Sequence, residues 1–185
     1  MSHRVCPWWL GYFLISPLRR WWQNPATILD GYVRPGMTAL EPGPGMGFFT
    51  LELLRLVGPS GRVVAVDIQP KMIERLKRRA AKSGGLDRLD ARLASPESMG
   101  IADLAGSVDF TLAFAVVHEF PDAREFFRQI AAASKPGASL LLAEPPGHVK
   151  SARFESEVNA AGASGFRLHS RPAVPRSHAA LLRRD

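Results

Sequence analysis

Apolar residues in this chain fall into short, dense runs separated by polar, helix-spaced segments. Val63-Val64-Ala65-Val66 and Phe110-Thr111-Leu112-Ala113-Phe114 are nearly continuous and rich in β-branched or aromatic residues, and Leu140-Leu141-Leu142-Ala143 is continuous. Runs of this length and type read as strands covered on both faces. The pattern predicts strands over 37–41, 62–67, 88–93, 108–114 and 139–143, with helices over 48–57, 69–82 and 122–133 between them. Gly84-Gly85 stops the second of these helices, and Pro136-Gly137 turns the chain into the strand at 139. The tail adds a helix over 150–161 and short strands over 166–168 and 178–182, for a total of seven strands.

Strand, helix and strand at this spacing imply βαβ units, and right-handed crossovers place helices on both faces of a mostly parallel sheet. The segment before Pro35-Gly36 is helical in short pieces, with Ser16-Pro17 and Asn24-Pro25 each reading as an N-cap followed by proline in the first turn. Two regions follow: a helical cap or lid over 1–36 and a single α/β unit over 37–185. No internal repeat or low-complexity tract interrupts them.

Composition changes this picture little. At 185 residues, 46% hydrophobic and 22% charged, the chain has one-domain length and a globular balance. Its single cysteine, Cys6, forms no internal disulfide and no cysteine-based metal site. No apolar run reaches the ~20 residues that span a bilayer. Val5–Leu18 is broken by Pro7 and Pro17 and lacks the layout of a signal peptide, so a cytoplasmic location is expected.

Charge is more informative. The net +7 points at first to nucleic acid, an anionic membrane surface or an acidic substrate. Residues 1–36 carry +3, residues 37–149 carry thirteen basic and thirteen acidic groups, and residues 150–185 carry +4. The excess therefore belongs to the two flanks.

The candidate chemistry starts at Glu41-Pro42-Gly43-Pro44-Gly45-Met46-Gly47-Phe48-Phe49, between a strand end and a helix start. Glycines there permit a sharp turn and close approach of a ligand to the backbone, and the following helix start offers free amides. A dinucleotide fingerprint needs glycine at the first, third and sixth positions, and the sixth counted from Gly43 is Phe48. No Gly-Lys-Ser/Thr follows, which excludes a P-loop.

With Glu41-x-Gly43-x-Gly45-x-Gly47, the chain resembles the class I S-adenosylmethionine-dependent methyltransferases. Val64-Ala65-Val66-Asp67, Val108-Asp109-Phe110, Val117-His118-Glu119-Phe120-Pro121-Asp122 and Lys135-Pro136-Gly137 follow in the family's order. The resemblance runs over residues 37–144, about 60% of the chain. It implies a Rossmann-like fold, S-adenosylmethionine as methyl donor and S-adenosylhomocysteine as product. Gly43, Pro44, Gly45 and Gly47 then pack on the methionine half of the cofactor. Asp67 accepts from the ribose hydroxyls, Ile68 lies on the adenine and Glu41 orients the ammonium. Ser95 stands where relatives hold the adenine amino group, with Glu97 nearby, and Phe114 ends the strand that faces the substrate.

His118 and Glu119 are the candidate catalytic pair, since a histidine near its ordinary pKa can take a proton from a hydroxyl or amine. The competing reading is that His118 caps the next helix or packs beneath the cofactor. Glu144 and His148 are further candidates, but with His118 and Glu119 they match no metal-ligand spacing, and no metal is expected. Asn/Asp-Pro-Pro-Tyr, carried by relatives that methylate planar amino groups, is missing after the strand at 108–114. A small-molecule acceptor is the first reading. An RNA or ribosome-associated target and a cofactor-binding module without catalysis are the alternatives.

Two features remain. Trp8-Trp9, Tyr12-Phe13 and Trp21-Trp22, with Arg19-Arg20 among them, fit a buried cap, a lid over the cofactor, or peripheral membrane contact. Arg75-Leu76-Lys77-Arg78-Arg79 reads as a solvated helix face.

Overall fold

A computed structural model describes residues 21–95 and 97–185. Cys6, Trp8-Trp9, Tyr12-Phe13, the Ser16-Pro17 cap and Arg19-Arg20 lie outside the described residues.

Asn24 caps a short helix, α1 (Pro25–Leu29), as its side chain accepts from the Ala26 amide. The chain then runs through β1 (Thr38–Pro42), α2 (Thr50–Val57), β2 (Arg62–Asp67), α3 (Pro70–Lys82) and β3 (Leu89–Leu93). It continues with β4 (Val108–Phe114), α4 (Ala123–Ala133), β5 (Ser134–Glu144), α5 (Ser151–Ala163), β6 (Phe166–Ser170) and β7 (His178–Arg184). The strands form one seven-stranded sheet in the order β3-β2-β1-β4-β5-β7-β6. β7 lies antiparallel between β5 and β6, and the other pairings among β1 to β5 are parallel.

Alternate residues of each central strand feed two separate cores. Leu40, Val64 and Leu140 pack with Phe126, Phe127 and Phe154 of α4 and α5 on one face. Ala39, Val63 and Leu141 pack with Leu53 and Leu54 of α2 on the other. This two-sided burial is why the strands read as continuous apolar runs. Ile28, Leu29 and Val33 belong to the second core, so residues 28–33 are continuous with the main unit. No helix among the described residues is long and apolar enough to cross a membrane.

Three local readings change. The helix after the glycine turn starts at Thr50 and not at Phe48, because Gly47 has φ +85° and Phe48-Phe49 complete the turn. β5 begins at Ser134, so Lys135-Pro136-Gly137 is an irregular start to the strand. Its register on β4 breaks between Val108 and Phe110, where proline lacks a donor and Gly137 has φ +78°. The basic stretch on α3 is not simply a solvated face. Leu76 is wholly buried, Arg78 pairs with Glu74, and Arg79 donates to the Met46 carbonyl of the glycine turn.

Candidate active site

The strand order reverses between β1 and β4, and open α/β sheets bind ligands outside the carboxyl ends of strands at such a point. There β1 runs into the glycine turn. The Gly43 amide donates to the Val66 carbonyl at 2.9 Å, which continues the β1–β2 pairing into the start of the turn. Gly43 has φ +66°, and a Cβ on it would stand 2.5 Å from Cγ2 of Val116. A Cβ on Gly47 would stand 2.5 Å from Cδ1 of Leu76. Both glycines are required by packing as well as by backbone conformation. Gly45 differs: a Cβ there would meet nothing within 4 Å, and the residue lines open space.

That space is a cleft open to solvent. Glu41, Gly43, Pro44, Gly45, Asp67 and Ile68 line it from the β1 and β2 ends, and Phe114 and Glu119 line it from the β4 end. Gly47 lies behind the turn against Leu76. Ser95 does not reach the cleft: it is exposed, and its hydroxyl accepts from the Ser98 amide while Ala94 lines the wall. His118 does not line the cleft either.

The acids of the β1–β2 end resist ionisation. Glu41 is buried, and its carboxylate accepts from the Thr50 hydroxyl at 2.6 Å. Burial pushes its pKa up to about 7, against the Thr50 bond and with help from the charge of Asp67. Burial likewise raises Asp67 to about 6, although amides of Gln69, Gly45 and Ile68 oppose the shift. The Gln69 amide donates to Asp67 Oδ1 at 2.9 Å.

The β4–β5 end is built differently. Ala115, in the left-handed region at φ 55°, leads into a short 3₁₀ turn over Val117–Glu119. Glu144, at the end of β5 and with no exposed surface, accepts from the amides of Val116 and Val117 at 3.2 and 2.8 Å. Its other oxygen is 2.6 Å from His118 Nδ1. Burial pulls the His118 pKa down, but the bond and charge of Glu144 together with the charge of Glu119 prevail and hold it above its ordinary value. The His148 ring stacks on His118 at 5.5 Å. Among the described residues no group of three or more His, Cys, Asp or Glu side chains is gathered to hold a metal.

Sequence reasoning missed Thr50, Arg79, Gln69 and Met72. Thr50 and Arg79 brace the turn, and Gln69 and Met72 line the cleft beside Asp67. A hydroxyl in the first turn of the helix after the glycines was the available signal for Thr50. Arg79 gave none, because its partner is a backbone carbonyl 33 positions away.

The residues facing the cleft fit the cofactor that the sequence implied. Glu41, which accepts from one hydroxyl, and Asp67 both line it, and Gly45 leaves space where any other residue would place a Cβ. Residues 34–167 match the family model described as a methyltransferase domain. An arsenite methyltransferase of Halobacterium salinarum is 29% identical over 124 residues, 67% of this chain and 30% of the relative. A ubiquinone/menaquinone biosynthesis C-methyltransferase of Hahella chejuensis is 28% identical over 159 residues, 85% of this chain and 59% of the relative. The chain thus spans between about a third and three-fifths of the length of these curated relatives. A S-adenosylmethionine-dependent methyltransferase from Aquifex aeolicus has the same fold, with a TM-score of 0.85 at 23% identity over 97% of this chain and 98% of that one.

Proposed function

This chain belongs to the S-adenosylmethionine-dependent methyltransferase family, and we propose that it moves the methyl group of S-adenosylmethionine to a nucleophile on a small-molecule acceptor. One observation carries the proposal: the acid ending β2 and the glycine turn ending β1 line a single cleft at the switch point of the sheet. Asp67 is assigned to the ribose hydroxyls and Glu41 to the ammonium group. Donors from a ligand favour the ionised carboxylate and offset the burial that now opposes it. Gly43, Pro44 and Gly45 are assigned to the cradle, with Ile68 and Phe114 as its apolar walls.

When bound, S-adenosylmethionine supplies a methyl group already activated by the sulfonium beside it. The chain's own contribution is then alignment and exclusion of water. Phe49 packs on Phe114 within the wall, ring centres 4.5 Å apart, and Phe126 backs Phe120 edge-on at 4.6 Å, so the apolar walls are held by ring packing. Within the His118–Glu119 pair, Glu119 lines the cleft and is assigned as proton acceptor for the nucleophile. His118 is assigned to the wall behind it. A small acceptor is supported by the arsenite and quinone methyltransferases among the relatives.

A labelled-methyl transfer assay on fractionated extract tests the proposal. Label in the small-molecule fraction is the expected result. Label in RNA alone, lost as salt rises, would replace it with the nucleic-acid reading raised by the basic flanks. Cofactor binding without label in any fraction would leave a binding module.

A further inference from the structure

Ala115 follows the end of β4 with φ 55°, a left-handed conformation that strains a residue bearing a Cβ. Such a turn persists only where its surroundings hold it from both sides. On one side the Ala115 amide donates to the Ala143 carbonyl at 2.7 Å. On the other, the next two amides both donate to one oxygen of Glu144. The residue so held, Val116, is the one whose Cγ2 fills the space that Gly43 lacks. Ala115, Val116 and Glu119 are also cleft-lining residues, so whatever fixes this connection fixes one wall of the cleft.

Glu144 does so while wholly buried, which requires that its lone pairs find donors. Two amides supply donors that cannot reverse their role. The His118 ring completes the set, and an ionised carboxylate accepts only if Nδ1 carries the proton. Nε2 is then the nitrogen through which His118 gains or loses a proton. Around the ring stand Glu119 on its own turn, His148 at 5.5 Å, and Arg153 and Glu157 on α5. Arg153 donates to the His118 carbonyl at 3.1 Å, a further tie on the same turn.

We propose that Glu144 is the positioning residue of the cofactor cleft: it clamps the strained Ala115 turn through the Val116 and Val117 amides and fixes His118 as an Nδ1–H donor. The proposal rests on the reading that the cleft holds S-adenosylmethionine, and it assigns Glu144 no contact with the reacting atoms.

Two substitutions separate the two halves of this hold. Glu144→Gln keeps an oxygen for the amides but presents an NH₂ to His118. The ring should then switch to the Nε2–H form, visible in the ¹⁵N signals of its nitrogens, while S-adenosylhomocysteine affinity falls by no more than about threefold. Glu144→Ala removes both ties, and affinity should fall about tenfold, the scale of one strained residue released. Adding Ala115→Gly to that variant removes the strain itself and should recover at least about threefold of the loss. A structural role confined to filling space would give no such recovery. A wild-type His118 protonated on Nε2 alone would overturn the proposal, as would a double variant no better than Glu144→Ala. If Glu144→Ala fails to fold, the ring signals of the wild type and of Glu144→Gln decide the question. A wild type that binds no S-adenosylhomocysteine overturns the cleft reading instead, and the ring signals still test the hold on His118.

Discussion

Glu41, next to the last residue of β1, and Glu144, the last residue of β5, are both buried, yet their surroundings are opposite. Burial, aided by the like charge of Asp67, raises the pKa of Glu41 to about 7, against the one hydroxyl it accepts from. Glu144 receives two amides and an imidazole nitrogen. A buried acid whose two oxygens both have fixed donors is part of the frame. A buried acid short of donors, facing open space, is one that a ligand can complete. The comparison divides the cleft into a receptive end at β1–β2 and a fixed end at β4–β5, joined where Val116 presses on Gly43.

That joint gives the largest expected effect. Gly43→Ala combines a left-handed backbone with a methyl group aimed at Val116, and should cost about 2–4 kcal/mol. A thermal melt checks this, and an unchanged midpoint would break the link between the two ends. The next effect concerns protons at the receptive end. Glu41 has a folded-state pKa of about 7 against 4.5 when exposed, so the folded form holds a proton that the unfolded form has lost between those values. The contribution of Glu41 is therefore complete below about pH 4.5 and is lost as pH rises through 7. The stability difference between wild type and Glu41→Gln should shift by about 3 kcal/mol across that window, in denaturant titrations at each pH. Cofactor affinity should move the other way and tighten over the same range, because ligand donors favour the ionised acid. A pH-independent difference would place Glu41 with Glu144, as an acid already satisfied. The smallest effect is at Arg79, which braces the Met46 carbonyl from outside the cleft. Arg79→Ala should weaken S-adenosylhomocysteine binding by about 0.5–1.5 kcal/mol in calorimetry while the melting midpoint hardly moves.

The receptive end was largely legible in the sequence, and the fixed end was not. Glu41, the glycines and Asp67 lie within 27 positions on two consecutive strands, so local spacing is enough to align them. Strand edges were equally readable where burial is two-sided, as at β2 and β4, whose observed limits equal the expected ones. The clamp at Glu144 joins residues 26 to 28 positions apart through backbone amides, and amides carry no residue identity for a sequence pattern to display. The spacing left His118 open between a catalytic role beside Glu119 and packing beneath the cofactor, because it does not show which way successive residues of a tight turn point. Of the two, Glu119 lines the cleft. Ser95 was placed by position after β3, but the turn there closes on Ser98.

Calorimetric titration of S-adenosylhomocysteine into wild type and Asp67→Ala, at pH 8 where the acid is ionised, tests the receptive end directly. Asp67 lines the cleft and braces it through amide bonds, but its carboxylate lies at the surface of the cleft, so the fold should survive the change. The expected result is binding by the wild type and a loss of about 1.5–3 kcal/mol in the variant, the scale of charge-assisted hydrogen bonds to a buried acid. Equal affinity in the two proteins would contradict the assignment of the cleft to the cofactor.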